Sequence, residues 1–358
     1  MIERERLIQT FCDLVRIDSP SGEEEAIAVA LSTKLMELGF TVIRDHHGNL
    51  LASEEGVNPL LLSAHMDTVE PGRGVIPVVE NDQIRSDGTT ILGGDCKAGI
   101  AAILEALESI KSDETSRIPV QLIFTRGEEI GLMGARNLDF SLVKAKEAFV
   151  FDGNGPVSRI TTASPTYIGF EVKVKGRAAH AGVEPEKGLS AIRIASEIIL
   201  QLPQGRLDDE STLNVGTISG GSVRNAVPEH ASFTGEFRSR NTETLDLLRL
   251  QVLEAIESAR QKYAEAVIQQ ELTVEFEMYS LPSDDVMVIR AIRVMDSLGL
   301  QPETEPSGGG TDANVFNLHG IRCAVVGMST REMHTTREHV LIPDLVDTAR
   351  FCEALLTE

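Results

Sequence analysis

Basic side chains are scarce in this sequence. Among its 358 residues, 33 Lys and Arg stand against 55 Asp and Glu, for a formal charge of −22. A phosphate backbone would meet a repelling field, so nucleic-acid binding is not expected. Long apolar runs are missing as well. No stretch approaches the ~18 residues of a membrane helix. The amino terminus, Met1-Ile2-Glu3-Arg4-Glu5-Arg6, alternates charges where a secretory signal needs a basic start and an apolar core. Cysteine is sparse: Cys12, Cys96, Cys323 and Cys352 have no paired spacing that would make a zinc ribbon or a disulfide framework. A reducing, cytoplasmic setting without membrane partners is the expectation. The glycines of Ser307-Gly308-Gly309-Gly310 are not followed by Gly-Lys-Ser/Thr, which excludes a P-loop. There is no internal repeat and no low-complexity segment.

Hydrophobic residues make up 42% of the chain, ample for a packed core at a length that suits two domains. Amphipathic helices are expected at 3–17 and 23–38, separated by the turn-forming Asp18-Ser19-Pro20-Ser21-Gly22. Strands follow at 40–44, 49–53 and 60–64, then a helix over 97–110 whose Ile100, Ile103, Leu104, Leu107 and Ile110 share one face. Strands at 120–125 and 148–151 continue an alternation that argues for a largely parallel sheet covered on both sides. Near Ser164-Pro165 the pattern changes. Phe170, Val172 and Val174 alternate with charged neighbours, the mark of a strand with one wet face. A helix at about 189–202, strands at 212–218 and 230–238, a helix at 242–263 and a strand at 272–278 complete a ferredoxin-like order. The helix–strand style of the first half then resumes. The expected division is therefore 1–163 with 281–358 as one domain and 164–280 as an inserted one.

Several strands run straight into polar residues, and in open α/β sheets reactive groups collect beyond the carboxyl ends of strands. Leu60–Ala64 delivers His65 and Asp67; Val120–Thr125 delivers Glu128 and Glu129; Ala148–Phe151 delivers Asp152; Ile321–Val326 precedes a loop that reaches His334; Asp95 opens a helix after Gly93-Gly94. Imidazoles and carboxylates together suit Zn²⁺, Mn²⁺ and related ions. Singly, each residue has an ordinary structural reading: a satisfied core histidine, a helix cap, a turn aspartate, a solvated pair of glutamates. Their joint arrival at strand exits is what favours a metal site.

His65-Met66-Asp67-Thr68-Val69, Gly93-Gly94-Asp95-Cys96-Lys97-Ala98-Gly99, Gly127-Glu128-Glu129-Ile130-Gly131, Phe151-Asp152-Gly153 and Met333-His334-Thr335 occur in the order of the co-catalytic dizinc peptidase superfamily. That superfamily holds aminoacylases, glutamate carboxypeptidases, succinyl-diaminopimelate desuccinylases and peptidase T. The resemblance extends through Gly176–Gly182 and Ser307–Ala313 and is nearest to the peptidase T-like, or tripeptide aminopeptidase, branch. It implies a three-layer zinc-exopeptidase-like α/β catalytic domain with a mostly parallel sheet, and an inserted ferredoxin-like α+β lid through which two copies dimerise. It also implies two Zn²⁺ ions, with Co²⁺ or Mn²⁺ as substitutes. One would be held by His65 and Asp152 and the other by Glu129 and His334, with Asp95 bridging, and Glu128 would serve as general base. Asp67, two residues past His65, would orient the imidazole.

By the same resemblance His180 would approach the oxyanion, while Asn225 and Arg238 would bind the terminal carboxylate of a short peptide, a task that suits the bidentate Arg. One departure stands out: Cys96 follows the bridging position where the superfamily usually has Asp. Cys96 is expected to be a buried thiol supporting the loop, the alternative being a soft extra ligand. The rival readings are an amidohydrolase that deacylates N-acyl amino acids, a carboxypeptidase, and a non-catalytic metal- or peptide-binding protein; a nucleotide-binding regulator is disfavoured by the missing phosphate loop.

Overall fold

The structure is a computed structural model describing residues 1–358. It divides into two units: Met1–Ala163 with Tyr279–Ser307 and Thr311–Glu358, and Ser164–Met278 with Gly308–Gly310.

In the first unit, Leu60–His65 and Val120–Thr125 are buried along their whole length, as apolar runs must be in the middle of a sheet covered on both faces. They pair in parallel from Leu60 opposite Val120 to His65 opposite Thr125. Glu147–Gly153 and Arg322–Gly327 extend the parallel array. Antiparallel strands flank it, Leu50–Ser53 and Thr41–Arg44 on one side and Arg159–Ser164 on the other, giving a mixed, mostly parallel sheet of nine strands. Helix Gly94–Ser112 buries Ile100, Ile103, Leu104, Leu107 and Ile110 in a core shared with Arg4–Val15 and Ile342–Thr357. The unit is a three-layer α/β structure.

The first unit also holds a small antiparallel sheet of Pro77–Glu80, Gln83–Ser86, His339–Leu341 and Thr330–Arg331. No pattern in the sequence announces it. Its strands are two to four residues long and two of them lie far from the others in the chain.

The second unit is an antiparallel sheet in the order Gly205–Arg206, Ser211–Gly220, His230–Ser239, Thr166–Lys175, Val267–Phe276. Helices Ala191–Ile199 and Thr242–Lys262 supply the apolar partners of Phe170, Val172, Val174, Phe233 and Phe237. Leaving out the two-residue strand, this is the ferredoxin-like arrangement, with the first strand between the third and the fourth. The last strand spans 267–276 rather than the expected 272–278. The return to the first unit comes at Tyr279, because Tyr279–Ser280 joins the edge of the large sheet beside Arg159–Ser164. Gly308–Gly310 goes with the second unit: Ser164 Oγ donates to the Gly309 carbonyl at 2.7 Å, and Gly310 lies so close to the Phe276 ring that a Cβ would sit 2.3 Å from it.

Candidate metal centre

Polar side chains converge where the parallel strands of the first unit end. His65 is the last residue of its strand, Asp152 is near the end of Glu147–Gly153, and Glu128 and Glu129 occupy the turn just after Val120–Thr125. Asp95 sits in the first turn of Gly94–Ser112, but its backbone (φ −81°, ψ 104°) and that of Cys96 are not helical. Its side chain makes no cap hydrogen bond to the helix. Its carboxylate is turned toward two imidazoles: Oδ1 lies 3.1 Å from His65 Nε2 and Oδ2 lies 3.1 Å from His334 Nε2. Asp152 Oδ1 is 3.7 Å from His65 Nε2, and Glu129 Oε1 is 3.0 Å from His334 Nε2. The donor atoms form three overlapping groups, each spanning no more than 4.8 Å: His65, Asp95, Cys96 and Asp152; Asp95, Glu129 and His334; and His65, Glu128 and Glu129.

The electrostatics are those of a site built for cations. Burial pushes the Glu128 carboxyl well above the ordinary carboxylate range, and neighbouring Asp152 adds to it. Burial likewise takes Asp152 up to about 7 and raises Glu129. At Asp95 burial is outweighed by the hydrogen bonds of His334 and His65, and its carboxyl is held below its usual range. Hydrogen bonds to Asp95 and then Glu129 push His334 up to about 10. Five carboxyl groups, those of Asp67, Asp95, Glu128, Glu129 and Asp152, thus crowd around two imidazoles. The donor set is the oxygen-and-nitrogen kind that divalent ions accept, and such ions would relieve the repulsion among the acids.

Further carboxylates hold the backbone of this site. Asp67 is fully buried, and Oδ1 accepts from Glu128 N at 2.9 Å while Oδ2 accepts from Glu129 N at 3.2 Å and Ser21 Oγ at 2.6 Å. Its carboxylate is 3.5 Å from His65 Nδ1, whereas its own backbone carbonyl is 2.9 Å away. Both the main chain and the carboxylate of Asp67 therefore face the imidazole, and the side chain also fixes the turn carrying both glutamates. Glu24 completes that turn by accepting from Gly127 N at 2.9 Å and from Arg126 Nη2 at 2.8 Å.

Cys96 is buried, and its thiol donates to the Phe151 carbonyl at 2.6 Å, with Asp152 Oδ1 and Met328 Sδ each at 3.4 Å. Burial first, then Asp152, push it well above an ordinary thiol.

His180, Asn225 and Arg238 belong to the second unit. A two-residue ladder pairs His180 with Ala226, and Ala181 N donates to the Asn225 carbonyl at 3.0 Å, so His180 and Asn225 lie side by side. Arg238 is already engaged. Its guanidinium stacks 4.3 Å above the Tyr167 ring and pairs with Glu236 at 2.7 Å.

Sequence reasoning passed over Glu24, Glu338 and Asp312. Asp312 is buried at the start of helix Asp312–Leu318, bonded through Oδ2 to Thr125 Oγ1, and burial pushes its carboxyl up to about 6. Only the Asp312 segment carried a signal, the glycine-rich run before it. Glu24 and Glu338 look like surface acids until the chain is folded.

Comparison with known proteins follows the same lines. Residues 48–158 match Peptidase family M28, and residues 162–266 match the Peptidase dimerisation domain. The chain is 37% identical to the uncharacterized protein YqjE of Bacillus subtilis strain 168, across 100% of this chain and 99% of that protein. Among solved structures, aminopeptidase PepT from Bacillus cereus ATCC 10987 is 36% identical with a TM-score of 0.89, covering 99% of this chain and 98% of its own. A tripeptidase from Staphylococcus aureus Mu50 is 33% identical with a TM-score of 0.94, covering 100% and 98%.

Proposed function

Since the chain belongs to the peptidase T-like branch of the co-catalytic metallopeptidase superfamily, we propose that it is a dizinc tripeptide aminopeptidase, releasing the N-terminal residue of short peptides. The observation that carries the reading is Asp95. One carboxylate presents an oxygen to each of two imidazoles at equal distance, which is the geometry of a ligand shared by two ions. His65 and Asp152 would hold one ion, and Glu129 and His334 the other. Bound there, a metal pair supplies an activated water and polarises the scissile carbonyl. Glu128 makes no hydrogen bond to either imidazole and is buried beside His65. Its raised affinity for protons suits a general base that accepts the water's proton and returns it to the leaving amine. Asp67 and Glu24 keep Glu128 in place by holding the backbone of Gly127, Glu128 and Glu129.

In the second unit, His180 and Asn225 are proposed to meet the substrate's reacting carbonyl and carboxylate end, with Arg238 as the carboxylate ligand. Tyr167 and Glu236 would hold the guanidinium ready, so the planar fork is preorganised. The same unit is proposed to join two copies. The four cysteines are buried and unpaired, which fits a reducing compartment, and no helix is long and apolar enough to cross a membrane.

The test is hydrolysis of di-, tri- and tetrapeptides and N-acyl amino acids with Zn²⁺, Co²⁺ or Mn²⁺ supplied. Release of the first residue from tripeptides is the expected result. Cleavage confined to N-acyl amino acids would overturn the reading in favour of a deacylase. Arg238→Ala should raise KM several-fold for tripeptides with a free carboxylate and leave the C-terminal amides nearly unchanged. Equal losses on both would remove Arg238 from substrate binding.

A further inference from the structure

Glu338 is as buried as any core residue, 1% exposed, and has no cationic side chain within ion-pairing distance. Its carboxylate is instead wrapped by the loop of the bridging aspartate. Oε2 accepts from Gly93 N at 2.7 Å and Oε1 accepts from Asp95 N at 3.0 Å. Gly93 adopts φ +74°, a left-handed conformation that turns successive N–H groups toward one point. Such a concavity is an anion nest, filled here by a side chain of the protein itself. No room exists for the loop to slide: a Cβ on Gly94 would approach Thr330 Oγ1 to 2.9 Å and Val340 Cγ2 to 3.1 Å.

Glu338 is also the end of the loop that presents His334. That loop begins after Thr330–Arg331 and ends at His339–Leu341, and Glu338 N donates to the Thr335 carbonyl at 3.0 Å. His334 itself is half exposed, with φ 63°, so packing does little to hold its ring. The hydrogen bonds of Glu338 join the two loops directly across 243 and 245 residues of chain. His65 and Asp152, by contrast, stand on strands of the large sheet, and neither is hydrogen-bonded to Glu338.

We propose that Glu338 is a positioning residue for one half of the metal pair: it sets the distance between His334 and the shared Asp95, and so the affinity of the ion held by Glu129 and His334. The inference rests on the dinuclear reading given above. Partners that orient metal ligands from behind are worth about 10–100-fold in affinity. The weakening should be one-sided.

The experiment is a metal titration of the full-length protein against a chromophoric chelator, for wild type, Glu338→Gln and Glu338→Asp, with thermal unfolding of each in its metal-free form. Gln keeps the shape, but its amide N–H₂ must face one of the two backbone donors. The expected result is two ions per wild-type chain, and in Glu338→Gln one ion bound as tightly as before and the other about 10–100-fold more weakly. Glu338→Asp keeps both acceptor atoms on a shorter arm, so it should fall between them and covers the case in which Glu338→Gln fails to fold. Unchanged affinities, or equal weakening of both ions, would overturn the inference while leaving the dinuclear reading intact. A wild-type chain that binds fewer than two ions would overturn that reading and this inference with it.

Discussion

Glu128 and Glu129 are neighbours in the chain whose side chains do different work. Glu129 lies 3.0 Å from His334, while Glu128 is buried with Asp152 as its main electrostatic neighbour. Gln is isosteric with Glu and cannot take up the proton. Glu128→Gln should therefore keep both ions and lose about 10²–10⁴ in kcat, the usual worth of a general base. Glu129→Gln should lose metal instead. Metal content and kcat measured on both proteins check the pair, and equal metal content would reverse or void the assignment. Cys96 illustrates another case, a residue inside the cluster whose thiol is already engaged by a backbone carbonyl. Its thiol is spent on the Phe151 carbonyl at 2.6 Å, a bond that a hydroxyl can also make. Cys96→Ser should retain two ions per chain and most of the activity, and loss of an ion would make Cys96 a ligand.

At the scale of elements, the site depends on helix Gly94–Ser112 lying hard against strand Glu147–Gly153. Gly99 makes that approach possible, since a Cβ there would stand 2.7 Å from Phe151 Cβ and 2.8 Å from the Phe151 carbonyl. The same carbonyl receives the Cys96 thiol. Gly99→Ala should thus cost about 1–3 kcal/mol through overpacking and should lower activity too, by separating Asp95 from Asp152. Denaturant midpoints with unchanged slope measure the first; a midpoint equal to wild type would show that the helix shifts freely. Strand Val120–Thr125 was legible in the sequence to the residue, because Val120 and the apolar Leu122–Phe124 suit a strand buried on both faces. Strand Val267–Phe276 was not. Gln270 stands at an inward position, where its Oε1 accepts from Arg260 Nη2, so its polarity broke the alternation, and a bulge between Val274 and Phe276 shifted the rest. The convergence of His65, Asp95, Glu129, Asp152 and His334 could be suspected from where the strands end. Glu338 could not, because nothing local marks an acid whose partners lie more than 240 residues away. Asp67 was recognised for its place beside His65, but its hold on the turn at Glu128 was not, since the two-residue spacing says nothing about that turn.

At the scale of the whole molecule, each copy carries a formal charge of −22, and two copies approaching one another repel. A dimer must overcome this with apolar contact and strand pairing. The second unit offers both on one side. Ser211–Gly220 is an edge strand: its outer neighbour Gly205–Arg206 reaches only Thr212 and Leu213, leaving the outer edge from Asn214 to Gly220 without a partner strand. Unpaired edges are templates for another chain. Beside that edge, Ile218 is 56% exposed and Ile192, close against Gly220, is 39% exposed. The proposed dimer would lay this edge against its equivalent, and a two-fold axis would bring each Ile218 onto the same patch of the other copy. Ile218→Glu removes apolar area from both sides of the contact and adds like charge to both. Wild type should therefore run at the dimer mass in light scattering at micromolar concentration, and Ile218→Glu should run as a monomer with its unfolding midpoint in denaturant unchanged. Because the opposing force is charge repulsion, screening should help: raising the salt from about 10 mM toward 1 M shortens the Debye length from about 30 Å to about 3 Å, so the dimer should tighten with salt. A wild-type monomer under all these conditions, or a dimer indifferent to Ile218→Glu, would move the interface elsewhere or remove it.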